Sequence, residues 1–254
     1  MSRFHKITPL DFSEWFVTEE ERHTFSPSEW VLPFPWISMF VYTHMKANFC
    51  GYNEFDNQQE RPKILQIGCA QGGDAVEIAK VLKLPMINGE LHVIDWFKGN
   101  LTVDKEEEWA FSPNNVDYWK FHLWSEAKKF KVDDIITVFE GDSRQVIHQM
   151  KDDYYDMVFI DGGHEYSIAK SDIENGYNKL KRGGVMVLDD LSGDDSFYEK
   201  YDLKNAPDKI IESDTYRFED GSRFHAGVMK VVREFFGDDI IRIRSHDKAY
   251  HIKK

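Results

Sequence analysis

Two short apolar runs, Met157–Ile160 and Val185–Leu188, each end in aspartate, and they constrain the fold of this chain more tightly than anything else in its sequence. Asp161 follows the first run, and Asp189 and Asp190 follow the second. Runs of this length, separated by a helical pattern and a Gly-Gly, read as a buried βαβ unit. In an open parallel sheet, ligands bind beyond the carboxyl ends of the strands. Three carboxylates and His164 are therefore expected at one rim of the sheet, and the chemistry with them.

The 254 residues suit one α/β domain with additions and can bury a substantial core. A hydrophobic content of 41% with 30% charged residues fits a globular protein rather than a disordered one. No apolar run approaches the roughly 20 residues of a membrane helix, and the start of the chain, MSRFHKITPLDF, lacks the apolar core of a signal peptide. A cytoplasmic protein without a membrane partner is the expectation. Cys50 and Cys69 match neither a zinc motif nor a disulfide framework. The net charge of −13 argues against a nucleic-acid partner, because neutralising phosphates takes a basic face. Small-molecule substrates remain.

Residues 1–56 are dense in aromatics, broken by Pro33 and Pro35 and helix-like beyond them. They read as a helical cap, packed on the core or on a second subunit, or else as a lid; self-association into a homo-oligomer stays open. A core domain spans residues 57–254, with Pro62 opening its regular part. Lys63–Ile67 predicts a strand, Gly68–Gly73 a glycine-rich turn and Asp74–Leu84 a helix. Further strands are expected at Leu91–Ile94 and Ile135–Phe139, before those of the two apolar runs. Residues 96–124 form an irregular Trp-rich insert followed by helix-like Ser125–Phe130, and residues 192–223 form a second, acidic insert. A helix at Gly227–Phe236 and a closing hairpin of Ile240–Arg244 and Ala249–Ile252 complete the chain. The order predicts a doubly wound, Rossmann-like sheet of seven mostly parallel strands with an antiparallel C-terminal hairpin.

The turn carries G-x-x-x-G-G (Gly68, Gly72, Gly73), which is neither the dinucleotide G-x-G-x-x-G nor a Walker A loop. Alone it fits a structural turn as well as a nucleotide site. Asp95, ending the second strand, is well placed to accept hydrogen bonds from two ribose hydroxyls. Asp142, after the third strand and beside Ser143, can accept from an adenine amino group. Each of these acids also fits helix capping or turn formation.

Through ILQIGCAQGG, VIDWF, FEGDS, YDMVFIDGGHEY and LKRGGVMVLDD the chain resembles the class I S-adenosylmethionine-dependent methyltransferases, over roughly residues 62–254. Within that class it is most similar to metal-dependent O-methyltransferases of sugar hydroxyls, such as the macrolide-sugar enzymes, and more distantly to the catechol enzymes. The resemblance implies S-adenosylmethionine at Gln66, Gly68, Gly72, Gly73, Asp95, Asp142, Ser143 and Asp161. It assigns a divalent cation, Mg²⁺ or Mn²⁺, to Asp161, Asp189 and Asp190. Gln66 is a departure, because the family often has Glu or Asp there, near the methionine ammonium; glutamine accepts a hydrogen bond but brings no charge.

Methyl transfer to a hydroxyl needs the alcohol's proton to leave as the new bond forms. A cation lowers the pKa of a bound oxygen, and carboxylate oxygens suit such a hard ion. His164, three residues past Asp161 and titratable near neutral pH, is the candidate general base; a lone histidine also fits a surface or capping role. The expected acceptor is a sugar, free or nucleotide-activated, chosen by the two inserts, where Arg217 and Arg223 fit surface arginines of a loop as well as a clamp on a diphosphate. A phenol-type acceptor and an NAD-dependent oxidoreductase are the alternatives, the latter disfavoured by the missing G-x-G-x-x-G.

Overall fold

A computed structural model describes residues 36–49, 61–103, 105, 109–191, 195–221, 223–243 and 248–254. The expectations for the aromatic residues 1–35 and the linker at 50–60 lie outside the described residues. Seven strands form one sheet: β1 (Lys63–Ile67), β2 (Glu90–Asp95), β3 (Ile136–Glu140), β4 (Tyr155–Ile160), β5 (Leu180–Leu188), β6 (Ile241–Ile243) and β7 (Lys248–Ile252). Their order is β3-β2-β1-β4-β5-β7-β6. The first five run parallel, and β7 lies antiparallel between β5 and β6. The chain leaves β1 toward β2 on one side and returns to β4 on the other. That reversal opens a crevice beyond the carboxyl ends of β1 and β4.

Helices cover both faces, which is why the central strands read as continuous apolar runs. Successive side chains of a strand point to opposite faces. Met157, Phe159, Val185 and Val187 pack toward α1 (Trp36–Phe49), α2 (Gly73–Leu82) and α3 (Asn115–Lys129). Val158, Ile160, Met186 and Leu188 face the other layer, with α5 (Tyr166–Lys179) and α6 (Ala226–Phe236); the short α4 (Ser143–Val146) follows β3. Among the described residues, no helix is long and apolar enough to cross a membrane.

Three elements differ from expectation. Gly183 and Gly184 form a bulge inside β5 rather than a turn before it: β4 and β5 pair at Tyr155–Leu180 and again, after a register shift, at Met157–Val185. Gly183 has φ +78°, and a Cβ on Gly184 would stand 2.8 Å from the Leu180 side chain. Helix α3 starts at Asn115, inside the stretch expected to be irregular. Its buried positions Trp119, Leu123 and Ala127 follow helical spacing, but exposed Tyr118 and Phe121 beside them hide the period in the sequence. The second insert contains two short helices, Asp195–Lys200 and Asp208–Ile211, and a two-stranded ribbon of Tyr216–Arg217 with Arg223–Phe224. Helices of four to six residues are too short to show a period.

Helix α1 is built into the core. Ile37, Phe40, Val41 and Met45 are fully buried, and the Phe40 ring lies 5.4 Å from that of Tyr250 in β7. Ser38 donates a buried hydrogen bond of 2.9 Å to Glu77 of α2. Phe40→Ala is expected to cost about 3–5 kcal/mol, the usual range for removing a buried phenylalanine. Urea unfolding monitored by circular dichroism measures this; an unchanged midpoint would mean that the helix detaches as a lid.

Candidate active site

One cavity of about 680 Å³ opens at the carboxyl end of the sheet. Its wall follows the strand order: Gly68 to Gln71 after β1, Asp95 and Trp96 after β2, Gly141 to Arg144 after β3, Asp161 to Glu165 after β4, and Asp189 and Asp190 after β5. Trp36 of α1, Trp109 and Trp119 add aromatic surface, and the inserts bring Asp214 and His225.

The glycine turn fixes the floor of this cavity. Gly68 has φ +82°, and a Cβ there would fall 1.8 Å from the Asp161 carbonyl oxygen, so only glycine lets the ends of β1 and β4 close together. The Asp95 carboxylate accepts from the backbone N–H groups of Cys69 (2.7 Å), Ala70 (2.8 Å) and Phe97 (2.6 Å). Burial raises its pKa, against the pull of those donors. Asp95 thus shapes the turn as well as lining the cavity.

Asp142 caps α4, accepting from the Arg144 amide at 3.0 Å, and its side chain is also paired with the Arg144 guanidinium at 2.5 Å. That guanidinium holds the Asp142 carboxyl below its usual range. An adenine amino group expected at Asp142 would compete with this pair. Ser143 lines the wall beside it.

Two expected cofactor residues lie elsewhere. Gln66 is fully buried, donates through Nε2 to the Gly68 carbonyl at 2.9 Å, and is not part of the cavity wall; its Oε1 is buried without a hydrogen-bond partner. Gln66 is the fourth of the five residues of β1, and its buried side chain is spent on the turn that follows. Gly72 is not part of the wall either. It has φ +90°, and a Cβ there would stand 2.4 Å from Leu123 Cδ1, so this glycine serves the packing of α2 against α3. Arg217 and Arg223 face each other across the ribbon, outside the wall.

The acids of β4 and β5 do gather. Ligand atoms of Asp161, Asp189 and Asp74 lie within 4.8 Å of one another, and so do those of Asp161, Asp190 and His164. Asp74, in the first turn of α2, carried no distinguishing signal in the sequence beyond an acid opening a helix. Burial raises the Asp161 pKa well above the usual range, and repulsion from Asp189, Asp190 and Asp74 adds to it. Burial, with Asp190, brings Asp189 up to about 7, and burial brings Asp74 up to about 6. Lys248 opposes this: its Nζ pairs with Asp189 Oδ1 and sits 5.0 Å over the Trp36 ring. A divalent cation fits this set of residues, because hard oxygen donors are crowded and their shared charge is short of counter-charge.

His164 is held from both sides, Nδ1 at 2.5 Å from Asp214 Oδ1 and Nε2 at 2.8 Å from Asp190 Oδ2. Burial alone would lower its pKa, but the hydrogen bonds to these two carboxylates outweigh it and raise the value well above the usual one. The same contacts overcome burial at Asp190 and Asp214 and hold both carboxyls low. Asp214 also accepts from Asn100 Nδ2 at 2.9 Å and donates its backbone N–H to Thr102 Oγ1 at 3.0 Å. His225 packs on His164 with ring centres 4.0 Å apart, and burial followed by the His164 charge lowers its pKa. Asp214 and His225 were not identified from the sequence, since they lie in or beside an insert without period.

A family model described as a methyltransferase domain matches residues 65–191, half of the chain. No curated protein matches it by sequence. Solved structures share the fold. The O-methyltransferase TomG from Streptomyces achromogenes, in complex with S-adenosylmethionine, is 15% identical with a TM-score of 0.52, covering 87% of this chain and 79% of its own. An O-methyltransferase from Bacillus cereus in complex with SAH is 14% identical with a TM-score of 0.51, covering 95% and 94%. The O-methyltransferase NovP is 14% identical with a TM-score of 0.52, covering 86% and 78%.

Gly72→Ala separates packing from ligand binding. It is expected to lower stability by about 1–3 kcal/mol, the range for overpacking a filled core, while leaving cofactor affinity in the folded protein unchanged. Chemical denaturation and calorimetric titration with S-adenosylhomocysteine read the two effects. Unchanged stability with lost affinity would return Gly72 to the cofactor site.

Proposed function

The chain belongs to the methyltransferase-domain family, and from that premise we propose that it moves the methyl group of S-adenosylmethionine to a hydroxyl oxygen of a sugar, with a divalent cation at the site. The observation that carries this reading is the meeting of Asp161, Asp189, Asp190 and His164 on one cavity wall. The ligands named for TomG, S-adenosylmethionine, and for the Bacillus cereus protein, SAH, support the choice of cofactor. Gly68, Gly73 and Asp95 are the residues best placed to hold it, with Asp142, Ser143 and Asp161 further along the wall.

Asp161, Asp189 and Asp190 would hold the cation, with Asp74 alongside. When bound, such an ion lowers the pKa of a hydroxyl and fixes its position. S-adenosylmethionine, when bound, would supply the methyl group, and His164 would take the proton that the acceptor hydroxyl gives up as the new bond forms. Asp214 holds Nδ1, which leaves Nε2 as the accepting nitrogen. That nitrogen faces Asp190 at 2.8 Å, so it takes a proton only once this oxygen is drawn away.

Two features support a sugar. Trp96 and Trp109 offer apolar ring surface for the C–H side of a pyranose, with buried Trp36 and Trp119 behind them. Among the described residues, the wall carries eight carboxylate side chains against Arg144 and Lys248, both of them paired. That balance favours a neutral hydroxylated acceptor and leaves the diphosphate of a nucleotide-activated sugar outside the cavity.

Asp161→Ala is expected to abolish methyl transfer to a panel of sugars while S-adenosylhomocysteine still binds with nearly wild-type affinity. Full turnover by this variant, and by the wild type after chelation, would refute the metal role. His164→Ala should slow turnover by roughly 10²–10⁴-fold, the span usual for a general base. A pH–rate profile that the substitution leaves unchanged would remove His164 from proton transfer.

A further inference from the structure

We propose that His225 supplies a nitrogen ligand to the cation held at Asp190, so that the site selects first-row transition ions over magnesium. The inference rests on the reading of Asp190 as a cation ligand and specifies which class of ion that site takes.

His225 immediately precedes α6, and the start of that helix is pressed against the segment after β4. A Cβ on Gly227 would stand 2.5 Å from both the His164 carbonyl oxygen and the Tyr166 amide nitrogen. The approach carries the His225 ring to 4.0 Å from that of His164. His225 Nδ1 lies 2.5 Å from the backbone carbonyl of Asp214. A carbonyl only accepts, so Nδ1 carries the proton and Nε2 presents a lone pair. A ligating histidine almost always gives its other ring N–H to a carbonyl or carboxylate in this way.

His225 Nε2 neighbours a carboxylate. It stands 3.6 Å from Asp190 Oδ1, beyond hydrogen-bond reach. A lone pair facing an anionic oxygen across that gap is repelled unless positive charge lies between them. Two donors on one ion, at bonds of about 2.0–2.2 Å, stand roughly 3–3.6 Å apart at angles from a right angle to somewhat beyond tetrahedral. The observed separation falls at the upper edge of that span. The other Asp190 oxygen meets His164 Nε2, so a single aspartate faces both imidazoles while Asp214 holds both Nδ1 atoms, one through its carboxylate and one through its carbonyl. Imidazole nitrogen favours the later first-row ions such as Fe²⁺, Co²⁺ and Zn²⁺ over Mg²⁺, which prefers an all-oxygen shell.

The test uses the full chain, stripped with chelator and titrated with Co²⁺, followed by its visible absorption, and with Mg²⁺, followed by calorimetry. The wild type is expected to bind Co²⁺ at least about tenfold more tightly than Mg²⁺. His225→Ala should weaken Co²⁺ binding by about tenfold or more, alter the Co²⁺ spectrum, and leave Mg²⁺ binding nearly unchanged. The unchanged Mg²⁺ affinity also shows that the variant is folded; His225→Gln serves as the second variant and should behave alike. Co²⁺ affinity and spectrum unaffected by both substitutions, while Asp161→Ala weakens both ions, would overturn the role of His225 and leave the carboxylate site standing. Failure of the wild type to bind either ion would overturn both.

Discussion

Four carboxylates share a buried corner in this protein, and Lys248 is the one lysine or arginine among the described residues of the cavity wall that is paired within it. Asp161, Asp189 and Asp190 are delivered by two adjacent parallel strands, and Asp74 by the helix that follows the glycine turn. Placing like charges together away from water costs several kcal/mol unless something of opposite sign offsets it. The folded chain answers in three ways. Lys248 pairs with Asp189, His164 bridges Asp190 to Asp214, and protons are drawn to Asp161 and Asp189. A cation would answer better, because it meets several oxygens at once.

The rest of the architecture serves that corner. Reversal of strand order at β1 puts the glycine turn next to Asp161, and glycine at position 68 allows the two strand ends to touch. The bulge at Gly183–Gly184 restores the β4–β5 register, so that Ile160 and Leu188 pair and the acids after them leave the sheet side by side. The second insert then reaches back over the strand ends, and Asp214 ties His164 to Asn100 of the first insert. The acid corner and the cavity wall around it thus come from distant parts of the chain that share one scaffold.

Much of this was legible in the sequence. The apolar runs ending in Asp161 and in Asp189-Asp190 predicted both the sheet and the corner it builds, because strand burial and strand-end position follow from local pattern. Helix α3 was hidden, since exposed aromatics such as Phe121 mask the spacing of Trp119, Leu123 and Ala127. Gln66 and Gly72, expected beside the cofactor, do not line the cavity, for a different reason. A motif tells which residues neighbour a ligand loop, not which of them point inward, and their neighbours are the Gly68 carbonyl and Leu123. Asp74, Asp214 and His225 reach the site only through tertiary approach, by the start of one helix, a ribbon and the start of another, and no spacing in the chain encodes that.

Thermal unfolding of the chelator-treated protein, with and without a divalent cation, tests the acid corner most directly. An ion that binds the folded chain at a hundred times its dissociation constant stabilises it by about 2.7 kcal/mol, which for a domain of this size is a rise of several degrees in Tm. The account predicts such a rise with Mn²⁺ or Mg²⁺ and its loss in Asp161→Ala. A Tm indifferent to both ions, in a wild-type protein that still binds S-adenosylhomocysteine, would contradict it.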